Sequence, residues 1–210
     1  MLLFPSFIRE RPMARWIEPV TLEGDRVCLE PLAPSHADDL TEACRDGELW
    51  KLWFTFAPAP QRVDDYIQAA LAGRDQGDLP FAVRHRESGR VIGTTRFFKV
   101  DEDNRRLELG HTWYAGRYQR TGVNTECKWL LLRHAFESLD AIAVEFRTHW
   151  HNRASRAAIA RLGAKQDGVL RNHTVTADGI YRDTVVFSII NQEWPAVRQN
   201  LRFLLERQRP

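Results

Sequence analysis

A chain of 210 residues with 43% hydrophobic and 28% charged residues carries enough apolar side chain for one well-buried domain and is short for two. Its 30 Lys and Arg against 28 Asp and Glu leave a net charge of +2, and the basic residues are spread along the chain, so no electrostatic footprint for nucleic acid is visible. Cys28, Cys44 and Cys127 are few, odd in number and lack a Cys-x-x-Cys pair, which suits a reducing cytoplasm and argues against a disulfide or zinc framework.

The run from Met1 to Arg15 starts apolar but is broken by Pro5. It has no basic residue ahead of its apolar part and no small-residue cleavage pattern, so it reads as a loose extension over residues 1–20, neither a signal peptide nor a membrane span. A single mixed α/β domain is expected over 21–210. It opens with a strand, Arg26 to Glu30, and a turn in which Ser35 is expected to cap a helix over His36 to Arg45. A second helix is expected from Val63 to about Ala72, with Asp64 and Asp65 in the first turn where the helix dipole favours acids. Between the two, Leu49 to Phe56 holds four aromatics in eight residues. Such a cluster is either core or the wall of a substrate cleft, where rings offer contact area and attract a cationic amine.

An antiparallel meander follows, with strands at Pro80–His85, Val91–Phe98 and Leu107–Tyr114 and polar turns at Glu87–Arg90 and Asp101–Asn104. The chain breaks at Ala115-Gly116 and passes through Gln119 to Asn124 into a helix marked by Cys127, Leu131, Ala135 and by Leu132, Phe136 at helical spacing. Another strand, Ala141 to Thr148, makes a crossover whose two strands should be parallel. A short helix from Arg153 to Leu162 closes on Gly163. A last hairpin, Leu170–Val175 with Ile180–Ile190, turns at Asp178-Gly179, and a helix opened by Pro195 presents Trp194, Val197, Leu201, Leu204 and Leu205.

The loop from Gln119 to Asn124 carries the chemistry. A loop entering a helix offers backbone N–H groups without helical partners and the positive end of a dipole, a site suited to phosphate, and Gly122 keeps bulk away from the main chain. Neither the Lys-Ser/Thr of a nucleotide P-loop nor the Gly-x-Gly-x-x-Gly of a dinucleotide fold is present. The spacing Gln119-x-x-Gly122-x-Asn124 resembles the acyl-CoA loop of the GNAT superfamily of N-acetyltransferases, with Asn124 where a small residue is usual. The strings TGVNTECKWLLLRHAFE, NRASRAAIARLGA and DGIYRDTVVFSI look like the branch containing the ribosomal-protein alanine and serine N-acetyltransferases. The likeness spans Thr21 to Trp194.

That resemblance implies a mostly antiparallel sheet with a splayed parallel pair, and acetyl-CoA as co-substrate. It implies that pantetheine pairs with main chain along Gly110 to Tyr114, including Trp113 and Tyr114. The pyrophosphate would then lie on Gln119, Arg120, Thr121, Gly122, Val123 and Asn124, with Thr125 beside it. Asn152 reads from local pattern as a helix N-cap with Ser155 in the first turn. The resemblance adds that Asn152 meets the pantetheine arm and that Ser155 serves as the acid for the departing thiolate. For the base, Glu108 is the first choice, with His111, His149 and His151 as rivals. His149 and His151 lie on one strand face without a third metal ligand pattern. The expected activity is acetylation of a primary amine, on a protein N-terminus or a small molecule, by direct attack in a ternary complex. The alternative is a non-catalytic acyl-CoA sensor or scaffold. No nucleic-acid or membrane partner is expected, and a homodimer is left open.

Overall fold

Apolar runs separated by polar turns and helices produce a sheet of eight strands, and the hairpin turns at Gly89, Arg105 and Gly179 each supply a residue in left-handed backbone. The computed structural model describes residues 15–176 and 178–207, so of the extension expected over residues 1–20 the first fourteen lie outside the described residues. Trp16 and Ile17 already pack on the core, the Trp16 indole N–H donating to the Leu139 carbonyl at 2.8 Å.

The strands are β1 (Leu22–Glu23), β2 (Val27–Pro31), β3 (Leu79–His85), β4 (Val91–Asp101), β5 (Arg106–Tyr114), β6 (Ala143–His149), β7 (Lys165–Val175) and β8 (Tyr181–Ile190). Their order in the sheet is β1-β2-β3-β4-β5-β6-β8-β7. All neighbours are antiparallel except β5 and β6, the crossover pair expected from the strand-helix-strand order. The helices are α1 (Ala37–Arg45), α2 (Val63–Ala72), α3 (Val123–Arg133), α4 (Arg153–Arg161) and α5 (Trp194–Arg207).

Two apolar layers follow from the period of the strands. One face presents Phe81, Val83, Phe97, Leu107, Leu109, Val144, Phe146, Val185 and Phe187, packed with Leu130 and Leu131 of α3, Ile159 of α4 and Val197 and Leu201 of α5. The other presents Ala82, Val91 and Trp113 to Leu40 and Cys44 of α1 and Val63 and Ile67 of α2. Beyond α1 and α2 this second face, over β5, β6 and β8, carries polar side chains in place of a helix.

Several local expectations are corrected. Ser35 does not cap α1; a 3-10 turn over Pro34–His36 precedes it, and the His36 Nδ1 accepts the Ala33 N–H at 3.2 Å instead. Strand β7 begins at Lys165, earlier than the apolar pattern indicates, because it pairs with β8 from Lys165↔Ser188 onward. The aromatic stretch is no core: Leu49–Lys51 is a 3-10 turn, and Trp53 and Phe56 are 54% and 65% exposed.

Candidate active site

The parallel pair is short and then opens. Arg106, Leu107 and Glu108 pair with Ala143, Val144 and Glu145, and there the ladder ends, while β5 continues to Tyr114 and β6 to His149. Pairing with β4 continues on the other side, through Arg96↔Gly110 and Thr94↔Trp113, with His111 and Thr112 facing the single residue Thr95. This bulge sets His111 at φ +50 and bends β5 away from β6. From Gly110 to Tyr114 one edge of β5 therefore has no strand beside it, and an extended ligand can hydrogen-bond there as a further strand would. Trp113 and Tyr114 offer main chain only: Trp113 is buried against α1 and α2, and the Tyr114 ring in the other layer, where burial raises its hydroxyl pKa well above the usual value.

Because β5 and β6 run parallel, the segments after them emerge at the same end of the opening. After β5, Arg120 at φ +62 and Gly122 at φ +94 turn the chain into α3, and the first helical bond is from the Glu126 N–H to the Gly122 carbonyl at 2.9 Å. The N–H groups ahead of it have no acceptor within the helix and are directed outward with the dipole. Gln119 braces the loop, its amide donating to the Tyr114 carbonyl at 3.1 Å, and the Thr121 hydroxyl donates to Tyr118 at 2.7 Å. Asn124 needs no unusual backbone: it sits within α3 and accepts the Tyr114 hydroxyl at 3.3 Å, so its side chain is turned to the core. The departure from a small residue leaves the main chain accessible. These groups fit an acyl-CoA: a strand edge for the pantetheine amides and a cluster of N–H donors for the pyrophosphate.

After β6, the Asn152 carboxamide caps α4 by accepting the Ser155 N–H at 3.0 Å, as the local pattern predicts. The Ser155 side chain has no hydrogen-bond partner among the described residues and is half-buried. Arg161, at the far end of α4, donates to the buried Thr125 hydroxyl at 2.9 Å and ties α4 to the first turn of α3. Sequence reasoning missed this link, since nothing local to either residue signals it.

Glu108 lies on the opposite face from α3 and α4, at the last paired position before the opening. It is 5% exposed and not a solvated strand residue; burial raises its pKa, against the pull of Lys99 at 3.0 Å and Arg147 at 3.3 Å. The rival histidines share this face. Burial, with Arg96 and Lys99 adding to it, brings His111 down to about 4, so at neutral pH it is uncharged and weakly basic. His149 Nδ1 accepts the His151 backbone N–H at 3.0 Å, which places the proton of the neutral ring on Nε2, buried without a partner. That nitrogen cannot accept a second proton as a neutral base would. Among the described residues no group of three or more side chains is arranged to hold a metal.

The aromatic stretch before Pro58 covers these histidines. The Trp53 ring stands edge-on to His149 at 4.7 Å, and Phe56 lies 6.3 Å from His111 and under the Arg182 guanidinium at 4.9 Å. The Phe98 ring packs against His111 at 4.9 Å. On this second face, opposite the α3 and α4 side, the opening where the strands part beyond Glu108 is therefore walled by Trp53, Phe56, Phe98 and Arg182.

Comparison with known proteins agrees with this architecture. The family model described as the acetyltransferase (GNAT) domain matches residues 26–165. YdaF of Bacillus subtilis, provisionally named a ribosomal N-acetyltransferase, is 26% identical over 175 residues, 81% of this chain and 94% of its own. The crystal structure of a GCN5-related N-acetyltransferase from Brucella melitensis superposes with a TM-score of 0.81 at 30% identity, covering 91% of this chain and 87% of that one. Mycobacterium smegmatis RimJ, solved with CoA-disulfide, shares the fold with a TM-score of 0.74 at 21% identity over 89% and 95% of the two chains. With two thirds of its length inside the family model, and the splayed pair and N–H-rich loop in place, the chain belongs to the GNAT family of acetyltransferases.

Proposed function

We propose that this protein transfers the acetyl group of acetyl-CoA to a primary amine, on a protein N-terminus or a small molecule, by direct attack within a ternary complex. The observation that carries the reading is the end of the β5–β6 ladder at Glu108: beyond it the strands part between the side of α3, α4 and the β5 edge, where CoA would lie, and the aromatic-walled face, where the amine would lie. In the reaction the amine nitrogen bonds to the thioester carbonyl carbon and the carbon–sulfur bond breaks, so that CoA leaves as a thiolate. Two proton movements accompany this. The ammonium must lose a proton before attack, and Glu108, at the last paired position before the opening, would take it, directly or through water. The thiolate gains stability from a donor, and Ser155 holds a hydroxyl not used elsewhere at the start of α4. The β5 main chain and the loop orient the thioester, which converts an encounter of two substrates into attack at a fixed geometry. The free Cys28, Cys44 and Cys127 suit a cytoplasmic setting.

The test is thiol release from acetyl-CoA measured across a panel of peptides and small amines, beside CoA binding by calorimetry. Amine-dependent release is expected with at least one acceptor class. Tight CoA binding with no release from any amine would overturn the reading in favour of a non-catalytic acyl-CoA binder.

A further inference from the structure

Among the described residues, the cations on the acceptor face are paired, with the exception of Arg182. Lys99 meets Glu108 at 3.0 Å, Arg147 meets Glu145 at 3.1 Å, Arg106 also pairs with Glu145, and Arg96 lies 3.7 Å from Asp78. Arg182, on β8 beside the His149 end of β6, has no carboxylate within ion-pair distance among the described residues. Its guanidinium rests on the exposed Phe56 ring at 4.9 Å, and its Nε–H is shielded from water without an acceptor. Stacking occupies the face of a guanidinium and leaves its in-plane N–H groups free to grip an anion side-on. Burial lowers the pKa of Arg182, and Glu108 partly offsets it; Arg182 in turn adds to the burial that lowers the pKa of His149 and of His173. The opening therefore offers a carboxylate at one end and an unpaired guanidinium at the other.

We propose that Arg182 selects acceptors that carry an anionic group close to the reacting amine, the amine lying toward Glu108 and the anion on the guanidinium above Phe56. This rests on the acetyltransferase reading and narrows it from any primary amine to one with an adjacent carboxylate. Two sources share that chemistry: the α-carboxylate of a free amino acid, and an acidic side chain at the start of a peptide. Desolvated, half-buried and stacked, the guanidinium is already fixed in place, so little side-chain freedom is lost when the anion arrives.

The experiment measures kcat/KM for acetyl transfer on matched acceptors: alanine against alaninamide, and a peptide starting with Asp against the same peptide starting with Asn. The parent enzyme is expected to favour the charged member of at least one pair by tenfold or more, and the pair that responds identifies the source. Arg182→Gln should lose about ten- to hundredfold more on that charged member than on its neutral partner, mostly through KM, and Arg182→Lys should recover part of the loss. A lesion that merely disturbs the fold would lower both members alike and leave their ratio unchanged. Equal use of both members by the parent, or an equal loss on both in Arg182→Gln, overturns the inference while leaving the acetyltransferase reading in place. No transfer to any acceptor overturns both.

Discussion

Lys128 is a cation in the wrong place by ordinary rules, and its cost can be measured. It lies on α3 beneath β4 and β5, 6% exposed, with its ammonium 2.6 Å from the Thr112 hydroxyl and 3.3 Å from that of Thr95. Two hydroxyls cannot replace the hydration of an ammonium, and burial lowers its pKa from 10.5 to about 8. Below pH 8 both folded and unfolded chains carry the proton, and the folded state bears the full penalty, about 3 kcal/mol at roughly 1.4 kcal/mol per pH unit. Between pH 8 and 10.5 the folded chain releases the proton while the unfolded chain keeps it, so this residue's contribution to stability rises with pH across that window. Lys128→Met keeps the length and removes the charge, and Thr95 and Thr112 retain their own contact at 2.8 Å. The variant should be more stable at pH 7 by about 1–3 kcal/mol once imperfect packing is allowed for. Urea unfolding of both proteins at pH 7, 8.5 and 10 checks this, the difference between them shrinking as pH rises. Cys44 and Cys127, each pushed up to about 12 by burial, pull the absolute curves the opposite way but are present in both proteins. A difference that stays flat with pH, or a Met variant less stable than the parent, refutes the reasoning.

Glu126 is the converse case, a buried carboxylate fully used: it accepts the backbone N–H groups of Asp25, Arg26 and Val27 at 3.0, 2.8 and 2.9 Å and so staples the start of β2 to α3. Glu126→Ala should cost about 2–4 kcal/mol in urea unfolding, and a loss under 1 kcal/mol would show that water replaces the carboxylate. Ser155→Ala should lower turnover by roughly ten- to hundredfold with CoA affinity unchanged by calorimetry, and full turnover would leave Ser155 a helix-start residue only. With Glu108 as base, the rate rises with pH through a carboxylate pKa raised above its ordinary value by burial. Glu108→Gln should bind CoA normally and lose that limb of the pH profile; a limb that survives moves the role to another group.

What could be read from the residues in order was what is local. The turn dipeptides, the Asn152 cap and the i, i+4 face of α3 each report on neighbours within a few positions, and the meander strands, α4 and the loop fell close to where those signals put them, whereas β1 and the start of β7, set by pairing with distant strands, did not. The opening between β5 and β6 was legible only through family likeness, because its cause is a bulge at His111, a non-glycine residue at positive φ that no propensity announces. Glu126 and Lys128 were opaque for another reason. A charged residue on a helix ordinarily faces water, and only the packing of β2 and β5 over α3 encloses these two. Phe56 and Arg182 stand 126 positions apart and meet only when the aromatic stretch folds back over β8, so neither half of that wall pointed to the other.

The central claim is that the loop into α3 holds the phosphates of acetyl-CoA on its backbone N–H groups. Gly122, at φ +94, stands at the helix start, and any side chain there meets backbone strain; Gly122→Glu adds a carboxylate facing the pyrophosphate, and Gly122→Ala carries the same strain without the charge. Titrating CoA into the parent and both variants by calorimetry, with circular dichroism to follow the fold, separates the two effects. The account predicts binding in the parent, weaker binding in the Ala variant and none detectable in the folded Glu variant. A folded Gly122→Glu protein that binds CoA as tightly as the parent would contradict it.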